Sequence, residues 1–166
     1  MTRLFALLTV ALIAVTPAAL ADATIYLVRH AEKASDGTRD PDLTDEGRAR
    51  AAWIAEFLAD KGVTKIYSTD YKRTRQTAAP AAEKAGVEVS LYDPRALEAF
   101  AEQLKKETGV ILVTGHSNTT PVLVGHLVGE PLDELTEDQY DRIYIVTVST
   151  DGNASYRLTF SEPRTP

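Results

Sequence analysis

The chain has 166 residues, 44% of them hydrophobic and 25% charged, which is enough apolar material for one domain with a buried core. Its formal net charge of −6 argues against nucleic acid and anionic membrane surfaces as partners. It contains no cysteine, which excludes disulfides, thiol catalysis and thiolate zinc sites.

Residues 1–21 read as a segment apart from the fold. Arg3 puts a positive charge ahead of an apolar run from Leu4 to Val15, broken only by Thr9. Pro17 follows, and Ala19-Leu20-Ala21 fits a small-x-small cleavage site. This is the pattern of a secretory signal peptide. The run is too short for a membrane span of about 20 apolar residues. The expected mature domain is residues 22–166, periplasmic or secreted, with no membrane insertion after cleavage.

Thr24 to Val28 is a short, β-branched apolar run, the mark of a buried strand. Asp36 to Asp42 is polar and carries Gly37 and Pro41, so it is a predicted loop. Thr44 can cap a helix whose first turn holds Asp45 and Glu46. Trp53 with Phe57 and Ile54 with Leu58 form i,i+4 pairs on its inner face, and Gly62 suits its end. Lys65 to Thr69 is a second predicted strand, followed by a helix from about Tyr71 to Ala85 that Gly86 ends. Val87 to Leu91 makes a third strand. Pro94 can start a helix with Leu97, Phe100 and Leu104 on one face, stopping near Gly109. Val110 to Val113 is the most apolar strand, and a helix over about 119–127 ends at Gly129. Ile143 to Ser149 and Ala154 to Phe160 alternate around Asp151-Gly152-Asn153, which predicts a hairpin. The tail from Ser161 to Pro166 reads as loose.

Strands alternating with helices predict an α/β fold. It is a three-layer sandwich with a mostly parallel central sheet flanked by helices and an antiparallel hairpin at one side. Loops after successive parallel strands gather at one sheet end, where ligands bind. Three polar motifs stand directly after apolar strands: Arg29-His30-Ala31-Glu32-Lys33, the block from Ser68 to Thr77, and Gly115-His116-Ser117-Asn118. Parallel packing would bring Arg29, His30, Arg73 and His116 to one edge. Two arginines and two histidines there suit a dianion, since Arg forks match phosphate oxygens. Helix starts after Asp70 and Asn118 are expected to add backbone donors and a positive dipole end. His126, in an apolar stretch near a helix C-terminus, is expected to be structural.

In combination, Arg29-His30, Leu43-Thr44-x-x-Gly47, Arg73-Thr74-x-Gln76-Thr77 and Gly115-His116 resemble the histidine phosphatase superfamily, in that family's order and over essentially the whole mature chain. The superfamily includes cofactor-dependent phosphoglycerate mutases, phytases and bacterial phosphohistidine phosphatases. The resemblance implies a phosphoglycerate mutase-like fold and, with the leader, a short bacterial exported member. It implies a hydrolase acting on phosphate esters, of the histidine acid phosphatase type. His30 would be the nucleophile, forming a phosphohistidine that water hydrolyses. Arg29, Arg73 and His116 would bind the phosphoryl oxygens and stabilise the transition state. No cofactor and no metal are expected: three His without paired ligand spacing make a poor metal site. The partner would be a small phosphorylated substrate, with no obligate protein partner.

Two departures stand out. The family's first motif usually continues with Gly, whereas here Ala31-Glu32-Lys33 follows. The family's proton donor has no clear counterpart, since Ser117 stands where one branch has an acid. Glu98, Glu32 and Asp70 are the candidates, none well supported. The short middle segment resembles the phosphohistidine phosphatases. Protein phosphohistidine phosphatase is therefore an alternative function, disfavoured by export. A phosphate-binding protein without turnover is another. A phosphoglycerate mutase is disfavoured because its substrate pool is cytoplasmic.

Overall fold

A computed structural model describes residues 23–166, so the leader expected over residues 1–21 lies outside the described residues. Six strands form one sheet in the order β3-β2-β4-β1-β5-β6. The strands are β1 (Ala23–Arg29), β2 (Val63–Ser68), β3 (Val89–Leu91), β4 (Gly109–Gly115), β5 (Arg142–Val148) and β6 (Ala154–Phe160). The helices are α1 (Asp45–Leu58), α2 (Lys72–Ala85), α3 (Leu97–Leu104) and α4 (Thr120–Val128). β3, β2, β4 and β1 are mutually parallel, while β5 runs antiparallel to β1 and to β6.

The strand period of two sorts β1 between two cores. Ile25 and Leu27 join Ile111, Val113 and Val146 in a cluster with Phe100 and Leu104 of α3 and Leu123 and Leu127 of α4. Tyr26 and Val28 point the other way. They pack with Leu112, Ile66 and Ile143 against Ile54 and Leu58 of α1 and Ala78 and Ala81 of α2. Burial on both faces is why β1 and β4 read as continuous apolar runs. The three-layer α/β reading holds.

Boundaries shift where side chains compete with pattern. α3 begins at Leu97 rather than Pro94, and it ends at Leu104, a turn before Gly109. Gly109 instead opens β4 at φ 87°. β3 keeps only three residues of the expected five. In α1 the buried face is Ala51, Ile54, Ala55 and Leu58, with Trp53 and Phe57 stacked on each other at its flank.

Gly47 has a packing reason. A Cβ there would lie 2.1 Å from the Glu32 carbonyl oxygen, so only glycine lets the first turn of α1 approach the loop after β1. Thr44 caps that turn, its hydroxyl accepting from the Gly47 amide at 3.1 Å. Leu43-Thr44-x-x-Gly47 is thus a docking device for the β1–α1 loop.

The tail is not loose. Asp141 is fully buried and accepts from the Thr165 amide at 3.0 Å, the Thr165 hydroxyl at 2.8 Å and Arg164 Nε at 2.9 Å. Arg50, also buried, donates to Ser161 Oγ at 2.6 Å and to the Pro163 carbonyl at 2.8 Å. A buried charge must find partners, and the last six residues supply them to both, beside the ion pairs of Arg50 with Glu32 and of Asp141 with Arg142.

Candidate active site

The sheet register aligns the loops. Arg29 pairs with Gly115 across β1 and β4, and Thr114 pairs with Ser68 across β4 and β2. His30, His116 and Thr69 therefore leave the sheet at one level. The His30 amide donates to the Gly115 carbonyl at 2.9 Å, tying the two histidine loops together. The rings of His30 and His116 sit 5.6 Å apart, edge to face.

His30 is 3% exposed. Its Nδ1 lies 2.8 Å from the Ala31 carbonyl, an acceptor only, so Nδ1 carries the proton and Nε2 keeps its lone pair. The loop is held in turn: the Ala31 amide donates to Thr77 Oγ1 at 2.9 Å, and that hydroxyl donates to the Arg73 carbonyl at 2.7 Å. Burial pushes the His30 imidazole down to about 3. The charges of Arg29 and Arg73 add to that, and only the Ala31 hydrogen bond opposes it. His116 is lowered to about 4, by burial first and then by Arg73 and Arg29. Its Nε2 meets Thr69 Oγ1 at 2.9 Å, and Arg73 Nη2 approaches its Nδ1 at 3.5 Å. Both rings are neutral near neutral pH.

Arg29 and Arg73 each retain a buried Nε without a partner. Such donors are costly when unpaired, and both side chains line one cleft of about 370 Å3 together with His30 and His116. The four expected residues are thus brought together. The guanidinium of Arg29 stacks on Tyr140 at 4.1 Å and that of Arg73 on Tyr71 at 4.6 Å, each ring fixing the plane of its arginine. Lys33 and Arg95 add two more cations to the lining.

None of the three candidate acids reaches the cleft lining. Glu32 is bound by Arg50, whose Nη2 lies 2.6 Å from Oε1. Asp70 is exposed and paired with Arg75, and Glu98 is exposed in the first turn of α3. The carboxyl that does line the cleft is Glu137, in the segment before β5. No periodicity or flanking strand marked that segment in the sequence. His126 is exposed in the last turn of α4 and does not line the cleft. The expected helix-end donors are partly spent: the Lys72 amide donates to Asp40 at 2.9 Å, and those of Thr119 and Thr120 donate to the His116 carbonyl. Among the described residues, no three His, Asp or Glu side chains converge to hold a metal ion. No described helix is long and apolar enough to cross a membrane.

The chain is 32% identical over 125 residues to a probable phosphoglycerate mutase, GpmB, of Escherichia coli, an alignment covering 68% of this chain. It spans only 58% of that relative's length. Among solved structures it is similar to the protein histidine phosphatase SixA complexed with tungstate, with TM-score 0.69 and 21% identity over 83% of this chain and 96% of the other. A putative alpha-ribazole-5'-P phosphatase from Escherichia coli gives TM-score 0.69 at 15% identity, over 84% of this chain and 96% of the other. These two likenesses bear on the fold. Residues 25–94, from β1 through Arg29, His30, the Thr44 cap and Arg73 to the turn after β3, match branch 1 of the histidine phosphatase superfamily, and the chain belongs to that superfamily.

Proposed function

We propose that this protein is a metal-independent phosphatase of the histidine acid phosphatase type. It hydrolyses a phosphomonoester or similar phosphorylated compound through a phosphohistidine on His30. The observation that carries the reading is the state of His30. It is a neutral imidazole whose Nδ1 proton is held by the Ala31 carbonyl, leaving Nε2 as nucleophile beside Arg29, Arg73 and His116. The two unpaired Nε donors suit phosphoryl oxygens. Phosphoryl transfer is catalysed mainly by positioning and electrostatics, so such a cationic cluster is chemically sufficient without a metal. The leader supports work in the periplasm or outside the cell after cleavage behind Ala21.

A second reading, protein phosphohistidine phosphatase, draws on the size match with SixA, whose solved chain is 96% covered. A panel of small phosphomonoesters and a phosphohistidine peptide, assayed with chelator present, separates the two. The expected result is turnover of a phosphomonoester that His30→Ala abolishes while the variant stays folded. Chelator-sensitive turnover, or turnover surviving in His30→Ala, contradicts the proposal.

A further inference from the structure

Resting on the phosphatase reading, we infer that Glu137 is the proton donor to the leaving group. Segment 135–140 is built onto the phosphoryl site from three sides. Arg29 Nη1 donates to the carbonyls of Thr136 at 2.8 Å, Glu137 at 3.2 Å and Gln139 at 3.3 Å. The Leu135 amide donates to the Ser117 carbonyl at 3.0 Å, tying the segment to the loop that carries His116. Tyr140 stacks on Arg29 and stands 6.1 Å from the His30 ring. Inside the segment, the Thr136 amide donates to Gln139 Oε1 at 3.1 Å, closing the turn. This much fixing of backbone delivers one carboxyl to the cleft lining, that of Glu137, with Oε2 at 3.4 Å from Arg29 Nη2.

Its side chain is 81% exposed, so it can turn from Arg29 toward a leaving group at the mouth of the cleft. Asp40 is the nearest rival, 3.5 Å from Arg73 Nη1. It does not line the cleft, and its Oδ1 is already engaged by the Lys72 amide.

In the first step His30 Nε2 bonds to phosphorus, the ester P–O bond breaks, and the Glu137 carboxyl gives its proton to the departing oxygen. In the second, water oxygen bonds to phosphorus and the P–N bond breaks. The water's proton passes to the Glu137 carboxylate, and His30 returns to its neutral form. The net reaction is ester plus water to alcohol plus phosphate.

The test is leaving-group dependence. The wild type, Glu137→Gln and Asp40→Asn are compared on 2,4-dinitrophenyl phosphate, phenyl phosphate and a simple alkyl phosphate, with alkaline-quench trapping of phosphorylated His30 alongside. Glu137→Gln should lose about a hundredfold or more in kcat/KM, which reports the step that expels the leaving group, on the alkyl ester, the usual size of general-acid assistance, and little on the dinitrophenyl ester, whose leaving group needs no proton. A uniform loss or gain in kcat/KM across the three esters, or the same pattern from Asp40→Asn instead, overturns the assignment. A wild type that traps no phosphate on His30 shows that the phosphatase reading itself has failed, and the Glu137 inference falls with it.

Discussion

A histidine with the ordinary value of 6.5 is largely protonated at about pH 5, and a protonated ring is no nucleophile. Burial removes that obstacle for His30, with Arg29 and Arg73 assisting and the value lowered to about 3. Ring-nitrogen NMR should therefore find His30 neutral, with the proton on Nδ1, at about pH 5. A protonated ring there contradicts the account. Linkage gives a second consequence. The unfolded chain takes up a proton on each of these histidines below 6.5, while the native rings resist it down to about 3 and 4. Stability should then fall as pH drops from about 7 to 4.5, a window above most carboxylate titration, and urea unfolding at the two values checks it. Arg73 binds no structural carboxylate closer than Asp40 at 3.5 Å, so its charge is available to the ligand. Arg73→Ala should cost about a hundredfold in kcat and weaken phosphate binding with it, measured by steady-state kinetics and titration with inorganic phosphate.

Among the elements, the β1–α1 junction is the most sharply specified. Gly47→Ala would drive a methyl into the Glu32 carbonyl, backbone against helix, where neither neighbour can give way. A loss of about 3 kcal/mol is expected from denaturant unfolding, and a loss below roughly 0.5 kcal/mol contradicts the close approach. The tail makes a prediction of the same sign in a more acidic window. Burial works against the Asp141 charge, but the hydrogen bonds from Thr165, Arg142 and Arg164 outweigh it and hold the carboxyl at about 2. Its contribution, on the order of 2 kcal/mol, is present above 3.8 and lost as pH falls toward 2. Asp141→Asn should remove most of it, together with protection of the tail from proteolysis. These two elements also mark what the sequence could show. The Thr44 cap was legible because capping leaves a local signature, Gly47 only through the family motif that carries it, and β1 and β4 because two-sided burial makes them uniformly apolar. The tail and segment 135–140 were not. Their order comes from Arg50, Asp141 and Arg29, and Arg29 lies more than a hundred residues from its carbonyl partners. The Glu32–Arg50 pair hid the same way, so Glu32 read as a candidate acid when it is a loop anchor.

For the whole molecule, an acidic chain with four cations lining one cleft keeps its positive charge where the proposed function needs a phosphorylated ligand to enter. The order in which the chain meets the sheet matters more than any motif: three parallel strands end at one level, where His30, His116 and, in the first turn of α2, Arg73 meet at one cleft. Four motif residues could be placed from that topology alone, whereas the acid could not, because which carboxyl reaches the cleft is settled by tertiary contacts. The proposed export has its own check, N-terminal sequencing of periplasmic material, which should begin at Asp22. A start at Met1 in the membrane fraction contradicts it. The central claim, that His30 carries the phosphoryl group, is tested most directly by rapid alkaline quenching of the wild type during turnover, followed by peptide mapping. An acid-labile phosphate on His30, formed with chelator present and missing from His30→Ala, is the predicted result. Steady turnover with no phosphate on His30 at any quench time contradicts it.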